Sequence, residues 1–219
     1  MTSENLDDLA AVAALTDGVR RSAYQTVAGH HGIPVGRDEV AETLGIGRTL
    51  AAFHLDKLVD AGLLEVSYAR RSGRTGPGAG RPAKLYHLAA GEHAVSVPPR
   101  AYRAAAELLA EALELSAADE TLNRVAGSHG RRAGAGHDDV TGLLTEHGYA
   151  PAADPGTPDR IELRNCPFHR LAEQFPPLIC GMNLAMISGL LEGAGLEWTA
   201  RMDAASGRCC VTLSKNKTD

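Results

Sequence analysis

Residues Gly47 to Leu88 read GRTLAAFHLDKLVDAGLLEVSYARRSGRTGPGAGRPAKLYHL. From Arg48 to Ala61 the apolar residues Leu50, Ala51, Phe53, Leu55, Leu58 and Val59 recur at helical spacing, and Gly62 stands where a left-handed residue ends a helix. Leu63 to Tyr68 then has strand character, as has Ala83 to Leu88, and the glycine-rich run Arg70 to Pro82 joins them. The stretch predicts a short amphipathic helix feeding a hairpin with a long tip. From Arg70 to Lys84 there are four Arg, one Lys and no acid, in a chain whose formal net charge is -5. Positive charge gathered on one projection of an acidic protein points to contact with a phosphate backbone.

Upstream, Leu9 to about His30 carries an apolar stripe of Leu9, Val12, Ala13, Leu15, Val19, Ala23 and Val27 and predicts a first helix. Val35 to Leu44 predicts a second, short one, and Gly45-Ile46-Gly47 a tight turn into the helix of the opening stretch. Helix, glycine turn, helix is the helix-turn-helix order, and the hairpin makes it winged. Any three-helix module with a hairpin shares that order, but such a module does not explain an acid-free, arginine-loaded tip. The runs Glu39-Val-Ala-Glu-Thr-Leu-Gly-Ile, Phe53-His-Leu-Asp-Lys-Leu-Val-Asp-Ala-Gly-Leu-Leu and Gly80-Arg-Pro-Ala-Lys-Leu-Tyr resemble the bacterial winged-helix repressors of the ArsR/DeoR type over residues 8 to 90.

That resemblance implies binding to double-stranded DNA, with the helix from 48 to 61 entering the major groove by its N-terminal half. Arg48, Thr49, Ala52 and His54 are then candidates for base-edge and phosphate contact, and Lys57 lies further along, near phosphate. Phe53, Leu55 and Leu58 are expected in the core. Arg70, Arg71, Arg74, Arg81 and Lys84 would meet phosphate or an adjacent minor groove, fixing position and salt dependence more than sequence.

At 219 residues the chain has room for two domains of about 100 residues each. The expected class is mainly α with an α+β C-terminal part. A winged helix-turn-helix would occupy 1–97, a linker or dimerisation helix 98–117, and an α+β sensor domain 118–219. Hydrophobic residues are 44% and charged residues 22%. There is no run of about 18 apolar residues and no basic-then-apolar start, so a cytoplasmic protein without membrane spans is expected. Arg100 to Leu115 has strong helix propensity, with Tyr102, Ala105, Leu108, Leu109, Ala112 and Leu113 on one face. Two uses suit it, an internal linker or the seam of a homodimer that presents two recognition helices to neighbouring half-sites. Further helices are expected from Ala117 to Arg132, Asp138 to Gly148, Pro167 to Gln174 and Pro177 to Gly193. Strands are expected at Arg160 to Arg164, Leu196 to Met202 and Arg208 to Leu213, and a loop from Pro151 to Pro158.

All four cysteines, Cys166, Cys180, Cys209 and Cys210, lie in the last quarter. In a reducing compartment such bunching favours metal or redox chemistry over structural disulfides. Pro167 is suited to a first helical position, which would put Cys166 at a helix start, and Pro177 does the same for Cys180; amides and dipole there favour thiolate. Cys209 and Cys210, read as strand neighbours, would face opposite ways, with Cys209 sharing the apolar face of Val211 and Leu213. Three thiols from such places suit an iron-sulfur cluster, either 4Fe-4S or 2Fe-2S, with His169 as the fourth donor. Zinc is the alternative, as is thiol redox chemistry without a metal; four inert buried thiols are the plainest option. An enzyme with Cys166 as nucleophile and His169 as base would lack an orienting acid and a phosphate loop, so no catalytic residue is assigned.

A winged-helix region followed by Cys166-Pro-Phe-His, a second Cys after thirteen residues and a third after twenty-eight is similar to the SufR family. The resemblance implies an iron-sulfur-binding repressor of cluster-assembly genes, with Cys166, Cys180 and Cys209 as ligands. The chain lacks the additional cysteine that some members carry between the second and third, near Gly193-Ala194-Gly195.

Overall fold

The computed structural model describes residues 3–30, 32–69, 82–154, 156–205 and 208–216. The chain divides into two compact units, Met1–Arg100 and Ala101–Asp219. The class is α+β, with one small antiparallel sheet in each unit.

The first unit runs α1 (Ser3–Ala14), α2 (Gly18–Gly29), β1 (Val35–Gly36), α3 (Arg37–Leu44), α4 (Arg48–Asp60), β2 (Leu64–Ala69) and β3 (Ala83–Leu88). The single helix expected from Leu9 to His30 is two. Asp17 breaks it, because its carboxylate accepts from the Arg20 amide at 2.8 Å and caps a new helix. β1 is too short to show alternation in sequence, yet it pairs with β3, Val35 opposite Tyr86, and makes the sheet β1-β3-β2. Gly45, at φ +64°, ends α3 in the left-handed conformation that other residues resist, and the chain turns directly into α4. Ala23, Val27, Val40, Leu55, Leu58 and Tyr86 form the core. Asp56 of α4 fastens the helix to β3, accepting from the Lys84 ammonium at 2.6 Å and from the Tyr86 hydroxyl at 2.9 Å.

The second unit runs α5 (Tyr102–Leu115), α6 (Asp119–Gly134), α7 (Val140–Glu146), β4 (Pro151–Asp154), β5 (Thr157–Leu163), α8 (His169–Gln174), α9 (Pro176–Ala194), β6 (Trp198–Met202) and β7 (Val211–Lys215). Its sheet is ordered β4-β5-β7-β6. The helix expected as a separate linker, α5, belongs to this unit and buries Ala110 against Leu178 and Ile179 of α9. The Pro151 to Pro158 loop is instead a hairpin, Ala152 opposite Glu162; the turn residues mark only its tip. β7 begins at Val211, so Cys209 and Cys210 lie in the turn before it rather than in the strand.

α9 is the central helix. It has the length and hydropathy to cross a membrane, contrary to the reading that no stretch does, and its Ile187, Leu190 and Leu191 are buried within the unit. What holds it is a seam of small residues. Gly181, Ala185, Gly189 and Gly193 recur every four positions and face Asn123, Gly127, Gly130, Arg131 and Gly134 of α6. A Cβ at Gly130 would land on the Met186 carbonyl oxygen, at Gly134 on that of Leu190, at Gly189 on that of Gly127, and at Gly193 on that of Arg131. The two backbones therefore touch along the seam, an approach that only residues without side chains permit.

Gly130→Ala or Gly189→Ala should destabilise the second unit by about 1–3 kcal/mol, since overpacking against backbone has no flexible side chain to yield. Fluorescence of Trp198, the chain's single tryptophan, reports that unit. Both variants should unfold at lower temperature than the parent; unfolding curves that superpose on the parent would contradict the seam.

Candidate functional site

Three separated segments of the second unit bring the four thiols together. Cys166 lies three residues past the end of β5. The Cys209 amide donates to the Leu163 carbonyl at 2.8 Å, which ties the turn before β7 to that same strand end. The turn itself is pinned by Arg208, whose guanidinium meets Glu162 at 3.4 Å, Asp203 at 2.8 Å and the Asp203 carbonyl at 2.8 Å, while Arg160 also pairs with Asp203. Cys180 comes from α9. The contacts run in series: the Cys166 thiol with Cys209, Cys209 with Cys210, and Cys210 with Cys180.

Cys209 is the centre of this series and is 2% exposed. The Cys166 thiol donates to its sulfur, and against the cost of burial the Val211 amide, the Asn183 side chain and Cys210 donate as well, which draws Cys209 down to about 6. The same contact with Cys209, with burial, pushes Cys166 up even though the Phe168 amide favours its thiolate. Burial and then the Cys180 thiol push Cys210 up. The same set of contacts thus lowers Cys209 while raising Cys166 and Cys210.

Around the thiols lies a polar pair in an apolar core. Asn183 of α9 donates from Nδ2 to the Cys209 sulfur at 3.2 Å, and its Oδ1 accepts from the Tyr149 hydroxyl at 2.5 Å. Asn183 is 1% exposed and Tyr149 3%. Neither has a sequence signature of chemistry; the available signal was that Asn183 follows Cys180 by three residues, on the same helical face, inside an apolar run.

Several expected positions are corrected. His169 opens α8 but its ring meets Glu173 at 3.3 Å on an exposed surface, so it is not among the thiols. Cys166 precedes α8 by three residues, with its carbonyl accepting from the His169 amide, and Cys180 is the fifth residue of α9 because the helix opens at Pro176. Cys210, expected to face away, touches both Cys209 and Cys180, because a turn does not impose a strand's alternation. Among the described residues, no three or more His, Cys, Asp and Glu side chains surround one point closely enough to hold a metal ion as they stand. The donor set nonetheless suits iron or zinc by its chemistry, since it is made of thiols, the soft donors both metals take, with an amide donating to the Cys209 sulfur.

In the first unit, Arg48 and Thr49 are exposed at the start of α4 and Ala52 is half-buried. Arg48 pairs with Asp38 at 2.6 Å and Lys57 with Asp60 at 3.2 Å, both on the surface. Such exposed pairs are worth only about 0–1 kcal/mol, so a phosphate can displace the carboxylates. Lys84, by contrast, is engaged with Asp56. His54 is 6% exposed and packed inward, which removes it from a groove-reading role, whereas Phe53, expected in the core, is 52% exposed. The buried face of α4 runs Ala51, His54, Leu55 and Leu58, and Phe53 falls outside it. Arg70, Arg71, Arg74 and Arg81 lie outside the described residues.

No family, no curated protein and no solved structure matches the chain.

Proposed function

We propose that this protein is a DNA-binding transcriptional regulator, a repressor, whose second unit senses iron-sulfur or redox status through the thiol centre. The approach of Cys166, Cys180, Cys209 and Cys210 from three segments, with the Asn183 amide donating to the Cys209 sulfur, carries this reading. Cys166, Cys180 and Cys209 would be the ligands of an iron-sulfur cluster, with Cys210 in place of His169 as the fourth donor. A bound cluster supplies an oxidant-sensitive, redox-active group. The resemblance to the SufR family suggests cluster-assembly genes as its targets.

The first unit is read as a winged helix-turn-helix. Its element order, the Gly45 turn between α3 and α4, and the exposed Arg48 and Thr49 at the start of α4 support that reading. Arg70, Arg71, Arg74 and Arg81 would hold the duplex by its phosphates. The homodimer reading is supported by the outer face of α5, where Tyr102, Leu108, Leu109 and Leu115 are exposed apolar residues, with Val125 of α6 also exposed. Leu113, expected on that face, packs inward instead.

A zinc or thiol-redox regulator without a cluster is the second reading, favoured by the direct contact between Cys166 and Cys209, which oxidation would join as a disulfide.

Anaerobically purified protein should carry iron and sulfide and absorb in the visible, and Ser at Cys166, Cys180, Cys209 or Cys210 should each diminish that absorption. Colourless protein with one zinc per chain would replace the cluster by zinc. Colourless, metal-free protein that gains a Cys166 to Cys209 disulfide with peroxide would leave the thiol switch.

The dimer has its own test. Leu108→Lys with Leu109→Lys should shift the protein toward monomer in sedimentation, because charge in an apolar seam costs a few kcal/mol, on the order of 2 or more; an intact dimer would place the interface elsewhere.

A further inference from the structure

Asn183 stands in the most apolar helix among the described residues, between the buried Ile179 and Ile187, and an aliphatic side chain there would spare the core an amide. Its retention of two hydrogen bonds, one of them to a sulfur, calls for a use beyond packing. A thiol sulfur is a weak acceptor, so the donated bond becomes strong only when Cys209 is a thiolate, as it is when it ligates a metal. The orientation is enforced as well. Tyr149 donates to Oδ1 at 2.5 Å, and turning the amide over would exchange that bond and set the amide oxygen against the Cys209 sulfur, two acceptors facing each other once Cys209 is a thiolate. Tyr149 is fixed by the chain after α7, its amide donating to the Leu144 carbonyl at 3.0 Å. The pair is therefore a preset donor, held from two sides and aimed at one sulfur.

We propose that Asn183, oriented by Tyr149, is the positioning residue of the thiol centre: its amide donates to the Cys209 sulfur and sets the reduction potential of an iron-sulfur group held there. The inference rests on the reading of Cys209 as a cluster ligand. A hydrogen bond to a ligand sulfur stabilises the more negative, reduced state, so its loss lowers the potential. Neither residue supplies a bond to iron, so removing the donor changes the potential without removing a ligand.

The test uses full-length protein, reconstituted anaerobically with ferrous iron and sulfide, in parent form and as Asn183→Leu, Tyr149→Phe and Ser188→Ala. Ser188 is exposed on the same helix and serves as control. Iron and sulfide per chain are measured first, then the midpoint potential by dye-mediated reductive titration followed in the visible. Asn183→Leu should load as the parent does and show a lower midpoint. Tyr149→Phe, which keeps the amide but frees its rotation, should shift the same way by less, and Ser188→Ala should not shift. A normally loaded Asn183→Leu protein with the parent's midpoint overturns the inference. If Asn183→Leu fails to load, a normally loaded Tyr149→Phe protein with the parent's midpoint overturns it equally. Parent protein that takes up neither iron nor sulfide overturns the cluster reading itself, and the inference falls with it.

Discussion

The contact between α6 and α9 is the constraint on which the second unit depends. Four carbonyl oxygens occupy the space that Cβ atoms would need at Gly130, Gly134, Gly189 and Gly193. Glycine inside a helix costs roughly 0.5–1 kcal/mol relative to alanine, so a run of such positions is retained only where close approach returns more than that. Packed this way, α9 has a rigid partner on one side and presents its other faces to α5, to α8 and to the sheet.

The chemistry of the site is mounted on that support. Cys180 and Asn183 project from α9, one helical turn apart, and both reach the turn that carries Cys209 and Cys210. That turn is held from the opposite side by the ion pairs of Arg208 and Arg160 with Glu162 and Asp203. Two independently braced elements thus close on the Cys209 sulfur. A group bound between them would couple any change in its charge to α9, and through the glycine seam to α6. Dense packing passes such displacements on as steps and not as gradual yielding. Under the proposed function, α5, which packs on α9 and carries the exposed apolar face, is the element that would register the step.

Periodicity made the helices legible: α4 is found from Arg48 as expected, and α9 within one or two residues of its predicted ends. It failed where a signal was too short or was read for the wrong property. β1 has two residues and no alternation to show. The glycines within α6 and α9 carry no expectation in the sequence analysis, although Gly181, Ala185, Gly189 and Gly193 have a spacing of four that marks a packed helix face. At α4, hydrophobicity was weighed above phase, which sent Phe53 inward and His54 outward, the reverse of their places. The cysteines were legible as a group but not in their pairing, because that depended on where β7 begins. Asn183 and Tyr149 were silent, since an amide and a phenol acquire their role only from what the fold sets beside them.

The proposed regulator requires that the state of the thiol centre change the affinity for DNA, and one measurement addresses this directly. Duplexes enriched from a random library by the anaerobic protein would be used to compare its affinity before and after removal of the bound metal by chelation, at fixed salt. Enrichment of a two-fold symmetric sequence is expected, with an affinity for it that changes about tenfold or more, equivalent to roughly 1.4 kcal/mol of coupling. Enrichment of no duplex, or one affinity for both forms, would contradict it.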